Sequence, residues 1–337
     1  MLTRRKFIAH SALMAVPFFY GFAKARDKIM TVNGWLDAGK IGFTLSHEHV
    51  LVDFIGAAQV DPARYERDNV FKRALPVLLS AKQRGCTTMV ECTPAYLGRD
   101  VNLLKRLCDA SGLIMLTNTG YYGAAGEKYL PAHCYTETAK QLANRWIGEW
   151  ENGIEGSGIR PGFIKTGVDR YPLSAVQQKI VEAAAITHLA TGLTIGIHTG
   201  NGQAAMEELR IIQSKGVAAQ AWIWIHAQNE KDRRIHIQVA KAGGWVSFDN
   251  VSTDSIAACL EFLKDMRKEN LLRQVLLSHD SGWYHVGEPD GGNFNDYNTI
   301  FDKLIPALKE NDFTEKDIRQ LFFINPSRAF AVSVRKK

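Results

Sequence analysis

The stretch Phe43-Thr44-Leu45-Ser46-His47-Glu48-His49 is a short apolar run that ends in metal-binding side chains. Residues two apart in a strand face the same side, so His47 and His49 can bind one ion from a single strand. Four later apolar runs end in residues of the same kind, which are, in chain order, Lys165, His198, His226 and Asp280. Parallel strands that close into a barrel bring their ends together on one rim.

Strand-like and helix-like segments alternate eight times along the chain. The strand-like runs cover residues 43–49, 86–93, 113–121, 162–168, 193–198, 221–226, 244–249 and 274–280. Amphipathic stretches lie between them, and a glycine often stands where a helix would end. The pattern predicts an α/β protein with a single-domain (β/α)8 TIM barrel over residues 26–337. A doubly wound open sheet is the rival, but no G-x-G-x-x-G turn follows the first strand.

Residues 1–25 have the features of a twin-arginine signal peptide. Arg4 and Arg5 begin a basic segment, residues 7–22 are mostly apolar, and Ala23-Lys24-Ala25 is a small-x-small cleavage site. The alternative is an uncleaved anchor, but the apolar part is shorter than the roughly 20 residues of a spanning helix. We therefore expect export to the periplasm and no stable membrane span once the signal is removed.

Charge and cysteine content exclude two classes of protein. The first 25 residues contain four basic residues and no acid, so the formal charge of +6 falls to +2 without them. That balance, with no basic stripe elsewhere, argues against a nucleic-acid partner. The five cysteines are scattered and odd in number, which excludes a disulfide framework.

Four imidazoles, a carboxylate and a lysine suit two divalent ions better than one. Burial would favour the neutral amine of Lys165, which can add carbon dioxide and become a carbamate with two metal-binding oxygens. Asp280 could bind a metal and also accept a proton from metal-bound water. The alternatives are an ion pair between Lys165 and Asp169, a structural role for Asp280 in a loop, and histidines bonded only to backbone.

The remaining histidines are expected to have other roles. His188 lies in a helix-like stretch and should pack, whereas His236 lies among arginines and should face solvent. His279 should point away from Asp280 and support the site from behind. His285 follows the last strand and is a candidate substrate contact.

The chain resembles the phosphotriesterase family of the metal-dependent amidohydrolase superfamily from about Thr31 to Phe330. The resemblance rests on residues 42–49, Phe163-Ile164-Lys165, Ile197-His198-Thr199-Gly200, Ile225-His226, Ser278-His279-Asp280 and Asn325-Pro326-Ser327-Arg328-Ala329-Phe330.

This resemblance implies a binuclear centre, commonly of zinc, with manganese, cobalt and iron as other candidates. One metal would bind His47, His49 and Asp280, and the other His198 and His226. Carbamylated Lys165 and a hydroxide would bridge the two metals. Lys165 and Asp280 would therefore be both ligands and catalytic residues, and the hydroxide would attack a phosphorus or carbonyl centre.

The resemblance also suggests substrate contacts. Tyr122 matches a position where lactonase-like members place a tyrosine over the metals. Asn250 stands where members often carry arginine or histidine, which puts triester and simple lactone activity in question. Trp283 and His285 belong to the loop 281–293, whose aromatic and glycine residues suit a mobile lid.

The expected function is hydrolysis of phosphoester bonds in a small-molecule substrate by a monomer or homodimer. The alternative is a lactonase or carboxyl-esterase with the same centre, because a metal hydroxide can attack either type of ester. A more distant alternative is a periplasmic binding protein that kept the barrel without catalysis.

Overall fold

The computed structural model describes residues 27–337, so the signal peptide predicted at residues 1–25 lies outside the described part. The described chain folds as a barrel of parallel strands surrounded by helices, which confirms the predicted (β/α)8 architecture. Within residues 27–337, no helix combines the length and the apolar character needed to cross a membrane.

The observed strands agree with the predicted runs to within a few residues at each end. They are β1 (Lys28–Thr31), β2 (Gly34–Asp37), β3 (Thr44–Glu48), β4 (Leu51–Val52), β5 (Thr88–Glu91), β6 (Ile114–Leu116), β7 (Asn118–Thr119), β8 (Phe163–Val168), β9 (Ile195–Thr199), β10 (Trp222–Ile225), β11 (Trp245–Phe248), β12 (Val275–Leu277) and β13 (Tyr284–His285).

The barrel consists of β3 and β5 to β12. In it, β6 and β7 together form the third strand. Parallel pairing runs β3-β5-β6 and β7-β8-β9-β10-β11-β12, with a break at Thr117 between the two parts. β1 and β2 form a separate antiparallel hairpin. β4 pairs with β13, so the segments after the first and the last barrel strands meet.

The helices lie outside the barrel. They are α1 (Arg67–Gln83), α2 (Val101–Ser111), α3 (His133–Thr136), α4 (Ala139–Asn152), α5 (Ala175–Thr191), α6 (Gly202–Ser214), α7 (Arg233–Lys241), α8 (Ile256–Lys268), α9 (Ile305–Glu310), α10 (Glu315–Arg319) and α11 (Asn325–Ala329). Glycines end several helices, as the sequence predicted: Gly112 and Gly192, for example, adopt left-handed conformations at the ends of α2 and α5.

His236 corrects one sequence prediction and His188 confirms another. His236 is buried, and its Nε2 lies 2.7 Å from the carbonyl oxygen of Ala227. Its face of α7 also carries Val239 and Ala240, three and four residues later, and this spacing outweighs the charged neighbours in sequence. His188 packs as predicted, with Nδ1 2.8 Å from the carbonyl oxygen of Leu193.

The inside of the barrel is filled with apolar side chains below the site. Strand residues such as Leu116, Phe163 and Ile223 pack with Ile29 from the N-terminal hairpin and Phe330 from the C-terminal segment. The rings of Phe163 and Phe330 meet edge to face at 5.6 Å. The barrel is thus a packed core, and the polar chemistry is confined to the carboxyl ends of its strands.

Side chains close the barrel between its first and last strands. In the described residues, β3 and β12 form no regular ladder, but the hydroxyl of Ser46 donates to the carbonyl of Leu277 at 3.0 Å. The buried carboxylate of Glu48 accepts hydrogen bonds from the Ser278 hydroxyl, at 2.7 Å, and from the amides of His279 and Ser281, at 3.0 and 2.8 Å. Glu48 therefore accepts the hydrogen bonds of the two backbone amides on either side of Asp280.

His279 supports this closure from behind the site, as the sequence predicted. Its Nδ1 lies 2.7 Å from Glu48 Oε1, and its Nε2 accepts the amide hydrogen of Ile300 at 3.0 Å. These partners assign the proton to Nδ1, because Nε2 must accept. The imidazole thus connects the acid at the end of β3 to the turn that precedes α9.

Glu48→Gln should destabilise the barrel, because the amide group would face a backbone donor with a donor of its own. We expect the free energy of unfolding of the metal-free protein to fall by about 1–3 kcal/mol. Urea unfolding would measure this, with Glu310→Gln, an exposed position in α9, as a control that stays within about 0.5 kcal/mol of the parent. Equal stability of the two variants would contradict the role assigned to Glu48.

Candidate metal centre

The six side chains predicted as ligands lie together at the carboxyl ends of the barrel strands. His47, Lys165 and His198 lie within β3, β8 and β9. His49 and His226 directly follow β3 and β10, and Asp280 lies three residues after β12. All six line one cavity of about 140 Å³, together with Phe54, Cys92, Pro94, Leu97, Tyr122, Ala125, Tyr129 and Trp283. The strand-end positions therefore converge on one cavity.

His47, His49 and Asp280 form the first group of donors. Asp280 Oδ1 lies 3.0 Å from His49 Nε2 and 3.4 Å from His47 Nε2. Each residue offers one donor atom, and these atoms lie within 4.8 Å of one another. Asp280 Oδ1 is buried and has no hydrogen-bond partner in residues 27–337. An unsatisfied buried carboxylate oxygen facing two imidazole nitrogens fits a divalent cation.

His198 and His226 form the second group, on the neighbouring side of Asp280. Their rings pack edge to face with centroids 4.4 Å apart, and His226 Nε2 lies 3.9 Å from Asp280 Oδ2. The ring of His226 also lies 5.1 Å from that of His47, so the two groups adjoin. Asp280 thus stands between two sets of histidines, one carboxylate oxygen toward each.

The buried carboxylate of Asp249, after β11, orients two of these histidines. Its Oδ2 lies 3.1 Å from His47 Nδ1, and its Oδ1 lies 2.7 Å from His226 Nδ1. The Ser247 hydroxyl and the Gln228 amide donate to the same carboxylate. Although Asp249 also lies close enough to His47 and His226 to share an ion, it faces their Nδ1 atoms and leaves both Nε2 atoms toward the cavity.

Asp249 is the site residue whose role the sequence prediction missed. The prediction for this part of the chain concerned Asn250 as a substrate contact, although Asp249 ends a strand-like run in the same way as the predicted ligands. The strand-end rule, applied to all eight strand-like runs, would have selected it.

Lys165 is buried beneath the ring of Tyr122, with its Nζ 5.4 Å from the ring centre. No hydrogen bond or ion pair to its Nζ occurs within the described residues. The alternative partner, Asp169, instead accepts hydrogen bonds from the Ala125 and Gly126 amides and from Gln177. Burial lowers the pKa of Lys165, which favours the neutral amine.

Burial and charge set the protonation of the other donors. Burial lowers the pKa of His49 to about 4 and holds the pKa of His198 well below its ordinary value. Burial also acts to lower the pKa of His226, but Asp249 outweighs it and raises that pKa. For Asp280, burial acts to raise the pKa, but the interactions with His47 and His49 outweigh it and lower the pKa. A neutral imidazole at His49 and His198 and an ionised carboxylate at Asp280 are the forms that bind cations.

Aromatic side chains surround the mouth of the cavity. Trp283 stacks on His49 with ring centres 3.9 Å apart, and Phe54 stacks on Trp283 at 5.7 Å. Tyr129 lies 6.1 Å from Phe54, and Tyr122 lies 5.9 Å from Tyr129. A polar donor set at the bottom is thus enclosed by an apolar rim.

Two of the four predicted substrate contacts lie outside this cavity. Tyr122 and Trp283 line it, as described above, but Asn250 is exposed and borders a separate hollow with Gln228 and Phe262. The ring of His285 is tilted against that of Phe54 with centres 5.6 Å apart, and its Nδ1 lies 3.7 Å from Glu288 Oε1. Neither residue lines the cavity of the donors, so the substrate contacts of Asn250 and His285 stay predictions.

Comparison with known proteins finds similar chains over most of the sequence. The model of the phosphotriesterase family matches residues 27–330. The phosphotriesterase homology protein of Escherichia coli K12 is 27% identical over 293 residues, covering 86% of this chain and 98% of the relative. The aryldialkylphosphatase of Saccharolobus solfataricus is 27% identical over 312 residues, covering 88% and 97%.

A solved structure of similar fold is that of a mutant phosphotriesterase-like lactonase from Deinococcus radiodurans. It has a TM-score of 0.81 and 27% identity, and the match covers 90% of this chain and all of the other. The matched family segment spans β1 to α11 and includes every donor residue of the centre. The chain belongs to the phosphotriesterase family.

Proposed function

We propose that this hydrolase of the phosphotriesterase family cleaves phosphoester bonds of uncharged small molecules with two metal ions in the described cavity. The observation that carries this proposal is the donor set itself. An unsatisfied buried carboxylate oxygen, four imidazoles and a lysine without an ion-pair partner in the described residues share one cavity. A cation held between these donors would satisfy the buried oxygen of Asp280.

The donors divide into two sets. His47, His49 and Asp280 would hold one ion, and His198 and His226 the other, with Lys165 as a carbamate between them. Nitrogen and carboxylate ligands suit zinc, and manganese, cobalt or iron are further candidates. Bound cations supply an electrophile for the ester oxygen and lower the pKa of water.

The residues of the chain perform the remaining tasks. Asp249 keeps the Nε2 atoms of His47 and His226 toward the cavity, while Asp280, ionised at neutral pH, can accept a proton at Oδ2. The aromatic rim of Phe54, Tyr129 and Trp283 excludes water and contacts the apolar parts of the substrate.

The lining of the cavity favours an uncharged substrate. Apart from the donors themselves, its described residues carry no charged side chain. An anionic group away from the reacting centre would therefore be buried without a partner, which is costly. A neutral phosphotriester meets this condition, and so does a lactone or a neutral carboxyl ester.

The hydroxyl of Tyr122 supports lactone or carboxyl-ester cleavage as the alternative. Tyr122 lines the cavity, and its hydroxyl makes no hydrogen bond within the described residues. Burial raises the pKa of Tyr122, so the hydroxyl stays protonated and can donate to a substrate. An alkoxide leaving group gains from such a donor, whereas an aryloxide hardly needs one.

We expect Lys165→Met to lower the metal content from two ions per chain to one or none. The activity of the metal-loaded protein, kcat/KM, should fall by about 100-fold or more, because the variant cannot form the carbamate that joins the ions. Elemental analysis and hydrolysis of an aryl phosphotriester would measure both, with the exposed Lys268→Met as the matched control.

Reconstitution of the metal-free protein would test the carbamate separately. Metal binding by the parent should be faster with bicarbonate in the buffer, and Lys165→Met should lose that dependence. A variant that retained two ions and full activity would contradict the proposed centre.

Tyr122→Phe should separate the two candidate functions. We expect kcat/KM for lactones to fall about tenfold or more, because one hydrogen bond to the leaving oxygen is lost. Hydrolysis of aryl phosphotriesters should change little. The control is Tyr135→Phe, an exposed tyrosine outside the cavity. Equal losses on both substrates would show that Tyr122 does not act on the leaving group.

We also propose export to the periplasm by the twin-arginine route. The support is the sequence of residues 1–25 and the fact that this route carries folded proteins, in which metal ions can already be bound. Arg4→Lys with Arg5→Lys should leave most of the protein in the cytoplasmic fraction of a bacterial host, measured by fractionation. Lys24→Arg, which keeps its charge, should be exported normally; export of the double variant would contradict the route.

A further inference from the structure

His49 is oriented by a different kind of partner from His47 and His226. Its Nδ1 lies 2.7 Å from the hydroxyl oxygen of Thr93, whereas the other two histidines face the carboxylate of Asp249. A hydroxyl can either donate or accept, so it does not by itself decide which ring nitrogen carries the proton. The group beyond Thr93 decides this.

That group is Glu91. The side chains of Thr93 and Glu91 are both buried, and the Thr93 amide donates to Glu91 Oε2 at 3.3 Å. Burial raises the pKa of Glu91 to about 7, although the interaction with the Thr93 side chain acts against that rise. When Glu91 is ionised, it can accept the hydroxyl proton of Thr93, and the hydroxyl oxygen can then accept from His49.

The backbone around the pair is held in place. Asn118, on β7, donates from its side-chain amide to the carbonyl oxygens of both Glu91 and Thr93, at 3.1 Å each. The Val50 amide, next to His49, also points at Glu91, at 3.4 Å. The chain His49–Thr93–Glu91 thus connects the ends of the first two barrel strands.

We propose that Thr93 and Glu91 are a positioning pair that keeps the proton of His49 on Nδ1 and leaves Nε2 free to bind a cation. The inference rests on the proposed metal centre and deepens it. Asp249 orients one histidine of each donor set, whereas Thr93 and Glu91 orient His49 alone. Changing Thr93 should therefore weaken the binding of one of the two ions and leave the binding of the other unchanged.

Two substitutions of Thr93 separate the hydroxyl from the methyl group. Thr93→Val removes the hydroxyl and keeps the shape, and Thr93→Ser keeps the hydroxyl and removes the methyl. In chelator competition with the zinc-loaded protein, we expect Thr93→Val to raise the dissociation constant of one ion by about 10–100-fold. Thr93→Ser should stay close to the parent. Urea unfolding of the metal-free variants would identify any general loss of stability.

Proton NMR of the cobalt-loaded protein gives a signal that would not change if Thr93 had only a structural role. The Nδ1 proton of His49, held by Thr93, should give a shifted signal that exchanges slowly with water in the parent and in Thr93→Ser. Thr93→Val should lose or displace that signal. The parent alone tests this point even if Thr93→Val does not fold.

Several results would overturn the inference. One such result is an unchanged zinc affinity in Thr93→Val, and another is an equal loss of zinc affinity in both variants. A third is a His49 signal in fast exchange with water in the parent. Each would show that the Thr93 hydroxyl does not hold the Nδ1 proton of His49. A parent protein that binds no zinc or cobalt would instead contradict the proposed metal centre. The two failures are therefore distinguishable.

Discussion

The centre depends on buried carboxylates that hold its histidines in place. Asp249 is fully buried and takes its hydrogen bonds from His47, His226, Ser247 and Gln228. A buried charge without these partners would cost several kcal/mol, so the acid and the two imidazoles stabilise one another. Because the three residues come from three strands, the same contacts that aim the donors also fix the rim of the barrel.

Much of this arrangement could be predicted from sequence because the rule behind it is local. An apolar run marks a buried strand, and its last residue marks the end of that strand. The closure of parallel strands into a barrel brings these ends together on one rim. The rule predicted six donors that the structure brings to one cavity. It says nothing about which strand-end acid faces an imidazole, so the role of Asp249 was missed.

Loops and helix faces were harder to predict for a physical reason. The turn after β12 contains Asp280 and Trp283 in left-handed conformations, with φ of 56° and 75°, and such backbone is not encoded in a strand pattern. That turn stacks Trp283 on His49. His236 was misplaced because its sequence neighbours are charged, although its spacing to Val239 puts it on the inner face of α7.

The closure of the barrel by Glu48 and Ser278 has a consequence for how the protein is made. The hydrogen bond from the His47 amide to Ser278 joins residues 231 apart in sequence, at 2.9 Å. Contacts of such separation form late in folding, since most of the intervening chain must be ordered first. During synthesis, the edge of β3 that faces β12 therefore stays unpaired until β12 has been made. Such an unpaired edge is prone to pair with other chains.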